Sequence, residues 1–437
     1  ESDGGGAGGA GGAAAVFAQF SGLIDQLVKL CHHIPRANPR AKSFSIVQEF
    51  SALRRMMPVE VMLPIQGALT AALPPSGRTE SGHLPFPGKV FTIHSLHDEV
   101  EVLASLQKPK KVVMYSSDGA KYAFLAKPKD DLRKDARMME LTSMINLLLS
   151  KDPPSRRRGL YIRTFAVLPF NEDCGLIEWV PNTTGLRHVL QDVYIAAGIF
   201  NRKTTHPTIR KHYDSYPEGE PKAKLLRRVL KMFPPRMHRW FLAAFPEPAE
   251  WFRARTAFAR TTAVWSMVGH IVGLGDRHGE NLLLDSSTGD CVHVDFSCLF
   301  DKGLLLEKPE MVPFRLTQNM VDGFGACGHE GVFRRVCETA LGVLRSHRES
   351  LMSLLETFVH DPLVEWQKGS RSGAELENPS AREALTNISK RLEGVVVGVN
   401  APASLPLSVE GQAHRLIEDA TSHENLGRMY IWWMAWM

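Results

Sequence analysis

The residues of this chain best placed to do chemistry lie between Gly273 and Phe296. The run Gly273-Leu-Gly-Asp276-Arg277-His278-Gly-Glu-Asn281 holds an acid, an imidazole and an amide close together, and Asp295-Phe296 follows after a short gap. Amide and carboxylate oxygens are the ligands that a hard divalent cation takes. Asp276 and His278 are the two groups here able to handle a proton. Leu282-Leu283-Leu284, a polar turn over 285–290 and Cys291-Val292-His293-Val294 read as strand, turn, strand. Such a hairpin returns Asp295 beside Asn281, so both can hold metal. An isolated Asp and Asn at this spacing most often cap turns. The histidine, the hairpin and the second aspartate together make that the weaker reading.

The spacing from Asp276 to Asn281 is the one a protein-kinase catalytic loop uses. The order here is Asp-Arg-His, not His-Arg-Asp. In that inversion the chain resembles the phosphatidylinositol 3-kinase-related protein kinases and the lipid kinases of the same superfamily. The resemblance extends over roughly residues 90–437, and in part over 40–90. Within the superfamily, the stretches Cys174–Val180 and Lys127–Asp135 and the tail from Leu405 are most similar to its replication-stress checkpoint branch. The fold it implies is α+β: a bilobal protein-kinase-like core of the phosphatidylinositol 3-/4-kinase type, with a small β-rich N-lobe, a large helical C-lobe and a C-terminal helical FATC segment. The corresponding division is a helical and linker region over 1–89, a kinase domain over 90–395 and a FATC domain over 405–437.

The resemblance also assigns roles. Lys127 follows a predicted strand and would reach the α- and β-phosphates of ATP, with Asp135 near the start of the next helix holding it in place. Lys129 is a nearby competitor for the same task. The phosphate-covering loop falls at Tyr115–Gly119, where backbone N–H groups and the hydroxyls of Ser116 and Ser117 can hold phosphate oxygens. Glu178, Trp179 and Val180 match the hinge, with backbone groups on the adenine edge and the Trp179 ring on its face. Asn281 and Asp295 would hold Mg²⁺, with Mn²⁺ as an alternative. Asp276 would orient the substrate hydroxyl and accept its proton. His278 can act as that base or stabilise charge on the phosphoryl group, and sequence leaves the order between the two open. Arg277 reads as structural, pairing with a nearby carboxylate. His293 reads as a packed strand residue.

Composition is compatible with these roles. A chain of 437 residues exceeds one compact core and suits two lobes with appendages. A net charge of +5 gives no argument for a dedicated nucleic-acid surface. Six scattered cysteines with no CxxC pair fit reduced thiols and no zinc site. No signal peptide and no apolar run long enough to span a bilayer is read. The start at Glu1 predicts a piece of a longer protein.

Along the chain, residues 4–15 are Gly and Ala and read as a flexible lead-in. Helical spacing is seen over 16–33 and 45–57, and a Pro/Gly/Ser-rich loop over 71–88. Strands are predicted over 100–106, 111–115, 122–125, 161–168 and 175–180, with a helix over 132–149. Helices follow over 185–197, 223–232, 249–272 and 332–344. Arg156-Arg157-Arg158 reads as a charged loop, and 369–380 as part of a regulatory insert.

The segment 296–317 matches an activation loop, and its charges are mixed: Asp301, Lys302, Glu307, Lys308 and Glu310. A phosphoinositide substrate needs a basic cluster there, so a protein substrate is favoured over a lipid. The tail ends Tyr430-Ile-Trp-Trp-Met-Ala-Trp-Met437, too apolar to be left in water, and is predicted to pack under the activation loop or a partner. The resemblance further implies a Ser/Thr-Gln protein substrate, a nuclear setting, DNA-damage signalling and a regulatory partner subunit bound mostly outside these residues. Neither direct nucleic-acid binding nor a membrane is expected.

Overall fold

A computed structural model describes residues 8–36, 38–65, 91–105, 107–360, 379–397 and 405–437. The loop read over 71–88 and most of the polar stretch from Gly369 lie outside the described residues. The chain divides into two compact units: residues 1–139 with 164–180, and residues 140–163 with 181–437.

The first unit is built on an eight-stranded antiparallel sheet. Its strands are β1 (Ser43–Ser45), β2 (Val59–Met62), β3 (Thr92–Leu96), β4 (Glu99–Val102), β5 (Lys110–Ser116), β6 (Lys121–Pro128), β7 (Val167–Pro169) and β8 (Cys174–Glu178). The main order is β1-β4-β5-β6-β8-β7, and β3 pairs with both β2 and β5. Alternation sets the buried face: Val112 and Met114 on β5 and Phe124 and Ala126 on β6 are essentially inaccessible. Packing does not break near residue 89, because β1 and β2 belong to the same sheet as the strands beyond it.

Helix α1 (Gly8–His32) starts inside the Gly/Ala run, not after it. Alanine is the best helix former, and the run merges with the amphipathic stretch that follows. Leu23, Leu27, Leu30 and Cys31 pack into the same core as Val112, Phe124 and Leu176. The window Ala14–His32 is nevertheless long and apolar enough, by length and composition, to cross a membrane. This corrects the sequence reading, which found no such run.

Two more predictions are corrected. The helix read over 45–57 is β1 followed by short helical turns at Ile46–Glu49 and Ser51–Arg55, the first capped by Ser45 Oγ accepting from Gln48 N–H. The strand read over 161–168 shrinks to β7. Its first residues find other partners: Ile162 N–H donates to Asn146 Oδ1 and its carbonyl accepts from Asn146 Nδ2, both at 2.7 Å. Tyr161 Oη donates to Asp290 at 2.5 Å, and Arg163 pairs with Asp285.

Helix α2 (Arg133–Lys151) is close to its predicted span. The second unit is mainly helical. Helices α3 (Leu186–Ala196), α4 (Thr205–Asp214), α5 (Lys222–Met232), α6 (Met237–Ala244) and α7 (Pro248–Val272) precede the hairpin of the candidate site. Helices α8 (Gln318–Gly323), α9 (Val332–Ser346), α10 (Arg348–His360), α11 (Pro379–Glu393), α12 (Val409–Thr421) and α13 (His423–Arg428) follow it. Helix α7 is buried all round from Phe258 to Val272 except Arg260, which fits its lack of a polar stripe. A small sheet, β9 (Thr183–Gly185), β10 (Leu282–Asp285) and β11 (Cys291–His293), carries the candidate site.

Candidate active site

The site begins where α7 ends. Gly273 adopts φ +62°, and the N–H groups of Gly273 and Leu274 return to the carbonyls of His270 and Gly269. That is a glycine-terminated Schellman cap, and it turns the chain sharply into the catalytic loop. Gly275 N–H then donates to Cys298 O at 2.8 Å.

Asp276 and Asp295 both have left-handed backbones, with φ of 55° and 61°. Non-glycine residues seldom adopt this conformation, and it persists where surrounding contacts fix it. The contacts are visible. Asn281 Nδ2 donates to the Asp276 carbonyl at 2.9 Å and closes the loop. Asn281 O accepts from Val294 N–H at 3.1 Å, and Leu282 pairs with His293 across the hairpin. Asn281 and Asp295 thus stand at the mouth of one hairpin, as the spacing predicted.

Arg277 is buried and donates to the carbonyls of Gly275 and Val294, at 2.9 and 2.8 Å, and of Asp295. The expected carboxylate partner is thus replaced by three backbone carbonyls, which staple the loop to the end of β11. Phe296 is fully buried and stacks on Trp265, as does His293, with ring centroids 5.6 and 4.7 Å away. His293 is therefore a packed strand residue.

His278 Nδ1 accepts from Glu280 N–H at 3.2 Å, and its Nε2 lies 3.9 Å from an Asp276 carboxylate oxygen. Burial pushes the Asp276 carboxyl above its usual range; His278 and Arg277 oppose this and Asp295 adds to it. The oxygen donors suit a hard cation. Asn281 commits its Nδ2 to Asp276, which leaves the amide oxygen as its metal-binding end, and Asp295 offers a carboxylate. Among the described residues, no three His, Cys, Asp or Glu gather as a metal cage. Mg²⁺ bound with a nucleotide needs none, because phosphates and water complete its shell.

In the first unit, Lys127 Nζ lies 2.8 Å from Asp130, a residue assigned no role from the sequence. Asp135 is buried in the first turn of α2. Ser116 is buried, and Ser117 Oγ accepts from Thr92 N–H at 3.2 Å, so the turn is held partly by its own hydroxyls. Glu178 accepts from Ala166 N–H at 2.8 Å, Trp179 N–H donates to Ala123 O at 2.9 Å, and Lys111 covers the Trp179 ring at 4.5 Å. Val180 is buried.

A family profile described as phosphatidylinositol 3- and 4-kinase matches residues 121–368, more than half of the chain. The chain belongs to that family. A FATC domain matches residues 406–437. The chain is 63% identical over 426 residues to serine/threonine-protein kinase ATR of Oryza sativa subsp. japonica, covering 96% of this chain and 16% of that one. Identity is 60% over 426 residues to ATR of Arabidopsis thaliana, with the same coverage. It is 43% over 415 residues to protein kinase rad3 of Schizosaccharomyces pombe, covering 95% and 17%. This is an ATR-like sequence that spans about a sixth of the length of those relatives. Among solved structures, the FAT and kinase domain of CtTel1 is similar, with a TM-score of 0.77 and 34% identity, covering 96% of this chain and 29% of that one.

The FATC tail is wired into this site by a residue that sequence reading missed. Arg315 is buried, and donates to Trp433 O at 2.7 Å and to Met434 O and Met437 O at 2.9 Å. Its guanidinium lies 4.2 Å from the centre of the Trp433 ring and also reaches the Arg277 carbonyl, at 3.4 Å. Asn319 on α8 donates to Trp436 O at 3.2 Å. Trp433, Met429 and Leu426 pack with Leu226 of α5, and with Met311 and Val312 of the activation segment. The apolar tail thus packs against the activation segment. A buried arginine needs several acceptors, and the tail carbonyls supply them.

Proposed function

We propose that this chain is the catalytic part of a serine/threonine protein kinase that transfers the γ-phosphoryl of ATP to protein hydroxyls. The observation that carries the reading is the placing of Asn281 and Asp295 at one hairpin mouth, with Asp276 tied to Asn281 through its carbonyl. Mg²⁺, or Mn²⁺ in its place, would be held by Asn281 and Asp295, and when bound it neutralises charge on the phosphates. Lys127 would meet the α- and β-phosphates, with Asp135 and Asp130 as its carboxylate partners. Ser116 and Ser117 would cover phosphates, and Glu178, Trp179 and Val180 would border the adenine.

The tautomer of His278 favours Asp276 over His278 as the base. Its Nδ1 accepts a backbone N–H, so in the neutral ring the proton sits on Nε2. Nε2–H can donate to a phosphoryl oxygen but has no lone pair for the substrate proton. Asp276 is left as the acceptor, and its raised pKa brings it nearer to the range in which a general base works well.

A protein substrate is favoured over a lipid. The lysines of the segment, Lys302 and Lys308, are interspersed with Asp301, Glu307 and Glu310, so it offers no basic cluster for an inositol phosphate. Similarity to ATR and rad3 supports a checkpoint role in DNA-damage signalling, a nuclear setting, a Gln after the target Ser or Thr, and a regulatory subunit of the ATRIP kind. The test supplies the full-length kinase with γ-labelled ATP, a Ser-Gln peptide, its Ser-Ala counterpart and phosphatidylinositol vesicles. Label should enter the Ser-Gln peptide. Label confined to lipid rejects the reading in favour of a phosphoinositide kinase.

A further inference from the structure

We propose that Glu310 is a positioning residue that holds Asp276 in its working conformation, so that proton transfer requires an ordered activation segment. The proposal rests on the reading of Asp276 as the proton acceptor.

The left-handed backbone of Asp276 needs external support. Its N–H donates to Glu310 Oε2 at 2.9 Å, across 34 residues of sequence. Two glycines make room for that carboxylate. A Cβ on Gly275 or on Gly303 would collide with Glu310 Oε2. Glu310 N–H in turn donates to Gly303 O at 3.0 Å, so backbone and side chain are both fixed.

Burial pushes the Glu310 carboxyl above its usual range, while the Asp276 N–H favours the charged form. A half-buried carboxylate that accepts the N–H of a strained residue has a defined structural task there. The same residue walls a cavity of about 430 Å³, together with Gly275, Gly303, Asp301 and Arg391. Among the described residues, Glu310 makes no hydrogen bond or ion pair with the proposed metal ligands or nucleotide-binding residues, so its loss should act on turnover more than on nucleotide affinity.

The test uses the full-length kinase with its native subunit, and compares Glu310→Ala, Glu310→Gln and Asp276→Asn. Displacing a reacting group by about an ångström costs about 10²-fold. Glu310→Ala should therefore lower kcat by about 10²-fold, with the KM for ATP changed less than about 3-fold. Glu310→Gln keeps an oxygen acceptor for the Asp276 N–H and should restore most of the loss. A nucleotide-induced rise in thermal midpoint checks that each variant is folded. Near-normal kcat in Glu310→Ala beside an inactive Asp276→Asn overturns the proposal. So does a Glu310→Gln variant as poor as Ala, which would make charge the property that matters. An active Asp276→Asn would instead overturn the underlying assignment of the base.

Discussion

The catalytic hairpin and the FATC tail are held in opposite ways. The hairpin is wired mostly to itself: Asn281 reaches Asp276 across 5 residues, Arg277 reaches Val294 and Asp295 across 17 and 18, and its longer ties are Glu310 on the Asp276 N–H and Arg315 on the Arg277 carbonyl. The tail is wired to the rest of its unit, with Arg315 spanning 118 to 122 residues to reach Trp433, Met434 and Met437. A self-wired loop keeps its geometry when one functional side chain is trimmed. A long-range network loses packing and geometry together. Chemistry and stability should therefore separate at the hairpin and fail together at the tail.

The largest effect is expected from Asp295→Ala. Losing one oxygen ligand removes several kcal/mol of charge stabilisation, so kcat should fall about 10³-fold. The thermal midpoint without nucleotide should fall only modestly: Asp295 O still accepts from Arg277 through the backbone, while Ser297 N–H loses its Asp295 Oδ1 acceptor and alanine tolerates φ +61° less well than aspartate. Turnover equal to wild type would remove the metal assignment. A collapse of the midpoint would erase the contrast with the tail.

Arg315→Ala should come next. It strands three tail carbonyls in a dry interior, and each buried group left without a partner costs about 1–3 kcal/mol. Water entering the space left behind offsets part of this, so a loss of about 3 kcal/mol in urea unfolding is expected. Arg315→Lys should recover little, because one ammonium cannot span the three acceptors. Activity should fall along with stability. Full activity in a destabilised Arg315→Ala would show that the tail supports the fold without supporting the loop.

This contrast also explains what could be read in the sequence. The Asp276, Asn281 and Asp295 group was legible because a hairpin is a short-range object whose register follows from strand and turn lengths. The helices α2, α3, α5 and α9 were legible from their apolar periodicity. Arg315 and Glu310 were not, because nothing within a few residues of either marks an acceptor or donor so far away in sequence. The short helices α4 and α6 were missed because each spans only two or three turns. Residues 161–166 read as a strand because alternation cannot show that Asn146 would take over the backbone bonds of Ile162. Lys127 was located by its strand. The sequence pointed to Asp135 and passed over Asp130, because spacing alone does not show that the Asp130 carboxylate comes within 2.8 Å of Lys127.

The smallest expected effect concerns the helix that leads into the hairpin. His270, near the end of α7, is 4% exposed, and its Nε2 has no hydrogen-bond partner among the described residues. Burial, with Arg391 adding to it, holds its pKa well below 6.5. In the unfolded chain His270 takes up a proton near pH 6.5, whereas in the folded state it resists doing so. Below that pH the unfolded state binds more protons, so stability must rise with pH and fall on acidification. One such site contributes at most about 1.4 kcal/mol per pH unit. Urea unfolding between pH 7 and pH 5 should therefore show a shallower loss in His270→Phe than in wild type, even if the variant is less stable at pH 7. Equal slopes would mean that α7 opens locally to let the imidazole protonate, and that the helix leading into the hairpin is softer than its burial implies.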